Sequence, residues 1–192
     1  MARWSMWIVG ALSLACSGGA PAPEPEPAPA PAPAPPPPEP ADEDEGGRSL
    51  LPKLERSDEP RPDDCTLDVA GMTAVLEKSQ TGAAKPARMR REPNRLVEKV
   101  RFDDGTDLRI VRGGCAHIGE TWEMAPVVAD GDLVATAIAA FGRAKTTDDP
   151  TWKPILKKGV ELGEDGAVPC GDANCSLKLE GEVLTFHYDF AL

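Results

Sequence analysis

Apolar and polar residues alternate most cleanly between Leu96 and Met124, LVEKVRFDDGTDLRIVRGGCAHIGETWEM, and the rest of the chain is read around this stretch. Leu96, Val100 and Phe102 alternate with Val97, Lys99 and Arg101, the period of two that marks a half-buried strand. Leu108 and Ile110 resume the pattern after a turn. The length of that turn decides whether the two apolar sets share a face. A two-residue Asp104-Gly105 loop sets them on opposite faces. A three-residue loop, Asp103-Asp104-Gly105, pairs Val100 with Leu108, Arg101 with Asp107 and Val97 with Val111, and gives Gly105 the left-handed position after a type I turn. A slip of one residue would turn every apolar side chain outward, so the three-residue loop is expected. Gly113-Gly114 then permits a bend or bulge. A third strand follows, with Ala116, Ile118, Trp122 and Met124 on one face and Cys115 and His117 on the other.

The period changes after Met124. Leu133, Val134, Ala137, Ile138 and Phe141 form one helical stripe, started by Asp130 or Asp132 and closed by Arg143 and Lys145. The stripe is expected on the sheet face that carries Phe102, Leu108 and Ile110. Asp149-Pro150 suggests a short second helix to Lys158, limited by Pro154. At the C-terminus, Leu177 and Leu179 lead through a two-residue Glu180-Gly181 loop to Leu184, Phe186, Tyr188 and Phe190. That hairpin pairs Leu177 with Leu184. Cys65 to Ser79 fits a strand through Leu67 and Val69 or a helix through Val69, Met72 and Leu76. It is read as a helical or irregular turn entering a strand near Thr73–Lys78. These elements predict an α+β domain: an antiparallel sheet of four to six strands packed by one main helix.

Composition divides the chain. Twenty-one prolines in 192 residues are too many for one compact fold. They cluster in residues 20–40, APAPEPEPAPAPAPAPPPPEP, which predicts a polyproline II tether reaching about 60 Å. An acidic run, Asp42-Glu43-Asp44-Glu45, continues it, and only Leu50, Leu51 and Leu54 interrupt the polar segment up to Pro62. The expected organisation is a signal peptide over 1–15, a disordered linker over 16–62 and a globular domain over 63–192. Residues 1–60 hold four of the 21 Lys and Arg and ten of the 32 Asp and Glu, so more than half of the net charge of −11 sits in the tail. An acidic, exported chain is a poor nucleic-acid binder.

The leader explains the tether. Arg3 precedes the apolar run Met6 to Leu12, too short to span a bilayer, and small residues follow. Leu12-Ser13-Leu14-Ala15-Cys16 resembles the lipobox of bacterial lipoproteins. The resemblance implies cleavage before Cys16, lipidation of that cysteine and anchoring of an exported protein to a membrane of the cell envelope. With Cys16 as the anchor, four of the five cysteines remain to pair. Cys170 and Cys175 enclose four residues including Gly171, a cheap ring to close. Cys65 and Cys115 are then left to each other, and their bond would close a loop of about 50 residues, contributing about 3–4 kcal/mol.

Candidate chemistry is sparse. The segment from Thr81 to Asn94 reads as a basic loop. Its Arg88, Arg90 and Arg91, with Arg95, Lys99 and Arg101, form the one positive patch of an acidic protein, a candidate site for an acidic partner. His117, Asp172 and Asn174 are the other candidate binding residues. Cys115 and His117 would make a thiol–imidazole dyad if Cys115 stayed reduced. Cys65, Cys115, His117, Cys170, Cys175 and His187 lack the close pairs of a zinc site. No catalytic motif appears, and no metal or cofactor is implied. The Cys170–Cys175 ring is similar to the disulfide-closed loop of the Ivy-type periplasmic lysozyme inhibitors, without that loop's basic and histidine residues. The expected function is an envelope-tethered module that binds a protein or cell-wall partner. A hydrolytic or thiol-dependent enzyme, or an inhibitor-type module, is the alternative.

Overall fold

The computed structural model describes residues 49–58, 65, 67–129 and 131–191. The leader, Cys16, the proline-rich run and Asp130 lie outside the described residues.

Six strands form one antiparallel sheet: β1 (Arg88–Arg91), β2 (Arg95–Arg101), β3 (Asp107–Gly113), β4 (His117–Ala125), β5 (Asn174–Glu180) and β6 (Val183–Ala191), in the order β1-β2-β3-β4-β6-β5. The main helix is α1 (Leu133–Phe141), and α2 (Trp152–Ile155) adds a single turn. The protein is α+β, as its alternation predicts.

The central hairpin has the three-residue loop. Arg101 pairs with Asp107, Val100 with Leu108 and Val97 with Val111. Gly105 has φ of +85°, and Phe102 and Thr106 close the turn with a 2.8 Å backbone bond. Arg143 ties the helix end to this turn. It donates to Asp104 at 2.7 Å and to the Thr106 hydroxyl at 3.2 Å, and its guanidinium lies 4.5 Å from the centre of the Phe102 ring. Arg143 therefore stands past the C-cap residue Gly142 and serves the turn, where a dipole role had been expected. At the N-terminus, Asp132 is the cap, accepting from the amides of Val134 and Ala135.

The inner face carries the core. Val100, Phe102, Leu108, Ile110, Trp122, Met124, Leu177, Leu184 and Phe186 meet Val134, Ala137 and Phe141 of α1 there. Trp122, Phe141 and Trp152 pack edge-on or tilted with ring centres 5.8–6.1 Å apart. The disulfide Cys170–Cys175 closes the six-residue ring at the start of β5, and Cys175 contributes to this core.

Five expectations need correction. The C-terminal hairpin has a two-residue loop, but it is Gly181-Glu182, so Leu177 pairs with Phe186 and Leu179 with Leu184. Gly181, with φ of +61°, opens the loop as a type II′ turn requires. The apolar face is unchanged because the register moves by an even step. Residues 81–94 are no continuous loop: Arg88–Arg91 pair with β2 as an edge strand. Thr73–Lys78 is not a strand, since only Leu76 makes an isolated bridge, with Thr146. The carboxylate of Glu98 takes the amides of Val75 and Leu76 that a neighbouring strand would take. Finally, α2 is four residues long and Cys115 and Ala116 lie in the bend before β4.

Glu98 is 1 % exposed on the inner face of β2 and also accepts from Arg112 at 3.0 Å. Removing one member of such a buried group leaves the others unpaired. Glu98→Ala is expected to cost about 3–5 kcal/mol in denaturant melts. Phe102→Ala should cost a similar 3–5 kcal/mol through the cavity it leaves. Arg101→Ala, losing a partly exposed ion pair with Asp107 on the outer face, should cost only about 1 kcal/mol. A ranking that puts Arg101 above Phe102 would refute the register.

Candidate functional site

The sheet register sorts outward-facing side chains into rows that cross the strands. One row runs Arg95, Gly113, Gly119, Asp189, Asn174. The next runs Arg90, Val97, Val111, Thr121, His187, Ser176, and a third Arg88, Lys99, Arg109, Glu123, Thr185, Lys178. Helix α1 covers the inner face. On the outer face, residues 49–58 cross β2 and β3, through Ser49 at Asp107, Pro52 at Arg109, Glu55 at Arg95 and Ser57 at Glu92. These contacts lie N-terminal to residue 63, so the last part of the expected linker packs on the domain.

The remaining half of the outer face, on β4, β6 and β5, is polar. Thr121 Oγ1 lies 3.0 Å from His187 Nδ1, and His117 Nδ1 lies 3.6 Å from Asp189 Oδ1. His117, His187, Asn174 and Lys178 are exposed. Of the two glycines at the centre of the first row, Gly113 packs against Asn94 and Arg95, while Gly119 leaves its backbone open. A shallow pocket of about 220 Å³ opens there, lined by Asn94, Arg95, Val111, Gly113, Gly114, Gly119 and Thr121. The Asn94 side-chain oxygen is buried with no hydrogen-bond partner among the described residues. Glycine is required at Gly114, where φ is +134° and a Cβ would meet the His117 carbonyl. At Gly119 a Cβ would sit 3.5 Å from the Gly113 carbonyl, an ordinary contact.

The candidate arginines are largely committed to the protein itself. Arg90 and Arg95 both bind Glu92, at 2.7 and 2.5 Å. Arg91 donates to the carbonyls of Val69 and Met72 at 2.8 and 2.6 Å. Arg88 is exposed at the edge of the sheet. His117 and Asn174 share the outer face with Asp189 between them, while Asp172 stands apart on the disulfide ring. Cys115 and His117 do not share a strand face, since β4 begins at His117. Among the described residues no three His, Cys, Asp or Glu side chains are grouped to hold a metal ion, and no helix is long and apolar enough to cross a membrane. His187, Thr121 and the Gly113–Gly119 pair were not singled out as binding residues. The signal for them was register: each alternates with a core residue of β3, β4 or β6. No protein-family model, curated protein or solved structure matches this chain.

Two carboxylates under residues 49–58 are tuned by their partners. Burial pushes the Glu92 pKa up most strongly, but the Ser57 amide, Arg95 and Arg90 together outweigh it and hold the carboxyl below its ordinary 4.5. Asp107 is likewise raised by burial and lowered more by Arg101, Ser49 and Lys99, to below its ordinary 3.8. A depressed folded-state pKa adds stability that is fully present above the unfolded-state value and lost as pH falls through the folded one. Stability should therefore hold steady above about pH 5 and decline below about pH 4. Replacing Glu92 by Gln should flatten that decline in acid melts. An unchanged acid limb would refute the coupling.

Proposed function

We propose that this chain is an envelope-tethered lipoprotein whose α+β domain is a non-catalytic binding module, with the open polar half of the outer sheet face as its contact surface. The observation that carries the reading is the contrast between the two halves of that face. β2 and β3 lie under residues 49–58, while β4, β6 and β5 present His117, Thr121, His187, Asn174 and Lys178 beside a pocket floored by glycine. The partner is a protein or polymer of the cell envelope rich in hydrogen-bonding groups, since the patch offers donors and acceptors of both signs and no large apolar anchor. Anchoring rests on the lipobox-like Leu12–Cys16 segment, and the tether on the proline-rich run behind it.

Two experiments test the reading. Cys16→Ser should move the protein from the detergent phase of envelope extracts to the aqueous phase, and unchanged partitioning would refute lipidation. Gly119→Ala adds a methyl group at the pocket floor without a steric clash. It should reduce retention of envelope partners at least tenfold while leaving the melting temperature within a few degrees. Equal retention would remove the pocket from the contact surface.

We further propose a Cys65–Cys115 disulfide in the mature protein. Cys65 Sγ lies 3.6 Å from the carbonyl of Gly114, the residue before Cys115, which supports the pairing. Non-reducing peptide mapping should recover a Cys65–Cys115 peptide beside Cys170–Cys175. A Cys115 that alkylates readily in fresh envelopes would refute it and favour a thiol-dependent activity.

A further inference from the structure

Residues 49–58 are held in a way that does not depend on most of their side chains. Arg109 donates to the Pro52 carbonyl at 2.6 Å, Arg95 donates to the Glu55 carbonyl, and Glu92 accepts from the Ser57 amide at 3.0 Å. The two carbonyls are three residues apart. From Leu50 onward burial has the same period: Leu51, Leu54 and Ser57 are half-buried, while Leu50, Pro52, Lys53, Glu55, Arg56 and Asp58 are exposed; Ser49, also half-buried, lies outside the repeat. Three residues per turn is the repeat of polyproline II, whose unpaired backbone groups leave every third carbonyl free on one side. Val97, which faces outward on β2 between these anchors, is 1 % exposed.

We propose that the outer face of β2 and β3 is a groove that reads extended, polyproline II-type peptides, and that residues 49–58 are its built-in occupant. The ligand it fits in trans is an extended protein segment with large apolar residues three positions apart and free carbonyls at the matching spacing. Proline is accepted wherever no amide is used, and the contacts use one amide only, at Ser57. The chain's own run over 20–40 has the prolines but no large apolar residue, so it lacks the Leu51–Leu54 pair that the groove takes. An intramolecular occupant acts at an effective concentration on the order of millimolar, so a ligand in trans must be abundant or multivalent to replace it.

Wild-type full-length protein provides the first test. A synthetic peptide of residues 49–58 carrying Lys53→Gln and Arg56→Gln, and so resistant to trypsin, is added at millimolar concentration. Cleavage after Lys53 of the protein should accelerate several-fold, with cleavage after Lys158, in an exposed loop away from the segment, as the internal control. A peptide with the two leucines moved to adjacent positions should have no effect. In the second test, Leu51→Asp/Leu54→Asp is checked for folding by circular dichroism and titrated with the fluorescent peptide. It should bind at least tenfold more tightly than wild type, and adding Arg95→Gln should weaken that binding. Unchanged cleavage with the wild-type protein overturns the proposal, as does a folded double variant that binds no more tightly than wild type. If the double variant does not fold, the cleavage rate alone decides.

Discussion

The carboxylate of Glu98 is the constraint on which the packing of this sheet depends. It lies on the apolar face of β2, between Leu96 and Val100, where a charge is costly unless fully bonded. Four contacts offset that cost: the amide of Val75 reaches both oxygens, the amide of Leu76 one, and Arg112 the other. The result is long-range. Residues 75 and 76 are fixed over the sheet without a strand of their own, and Leu76 enters the core. The same segment then reaches the loop beyond α1, through Glu77 to Lys145 and Thr147 to Val75. One buried side chain thus joins the first described part of the domain, the sheet and the end of the helix region.

Arginine completes this logic on both faces. Arg91 and Arg112 turn inward and take the carbonyls of Val69, Met72 and Thr73, closing the irregular opening segment over the sheet. Arg109 and Arg95 turn outward and take the carbonyls of Pro52 and Glu55. A guanidinium has several donors in a rigid fork, so it can hold a carboxylate and a carbonyl together. Arg109 does so with Glu123 at 2.5 Å and Pro52, and Arg95 with Glu92 and Glu55. Irregular chain packs against the sheet because arginine can satisfy its backbone.

Much of the fold was legible because burial follows period. The β2–β3 hairpin was readable since one loop length alone puts Val100 and Leu108 on a common face, and α1 because its stripe begins at a capping aspartate. Where periodicity does not discriminate, the reading slipped. The β5–β6 loop can sit at 180–181 or 181–182 with the same apolar face and a glycine in either, and only the pairing of Glu180 with Val183 separates them. Leu76 resembled a strand residue because it is buried, but its burial comes from the Glu98 contact, which no local pattern contains. Arg88 to Arg91 looked like loop because their charges hide a pairing made with β2. Of the candidate site, His117 and Asn174 could be read as polar positions, whereas His187 and the Gly113–Gly119 pair join them only through register across four strands.

The fate of the basic cluster bears on the kind of binding proposed for this domain. Read from sequence, Arg88, Arg90, Arg91 and Arg95 form a field able to attract an acidic partner. In the fold, Glu92 lies under Arg90 and Arg95, and Arg91 is turned to backbone carbonyls, so three of the four guanidiniums are committed to the protein and one carboxylate offsets part of their charge. On the proposed reading, affinity on the open half of the outer face comes from contact: hydrogen bonds to His117, Thr121 and Asn174, and shape at the backbone of Gly119. On that reading such a surface discriminates by fit once a partner is near, and the proposed tether brings that nearness without requiring a field.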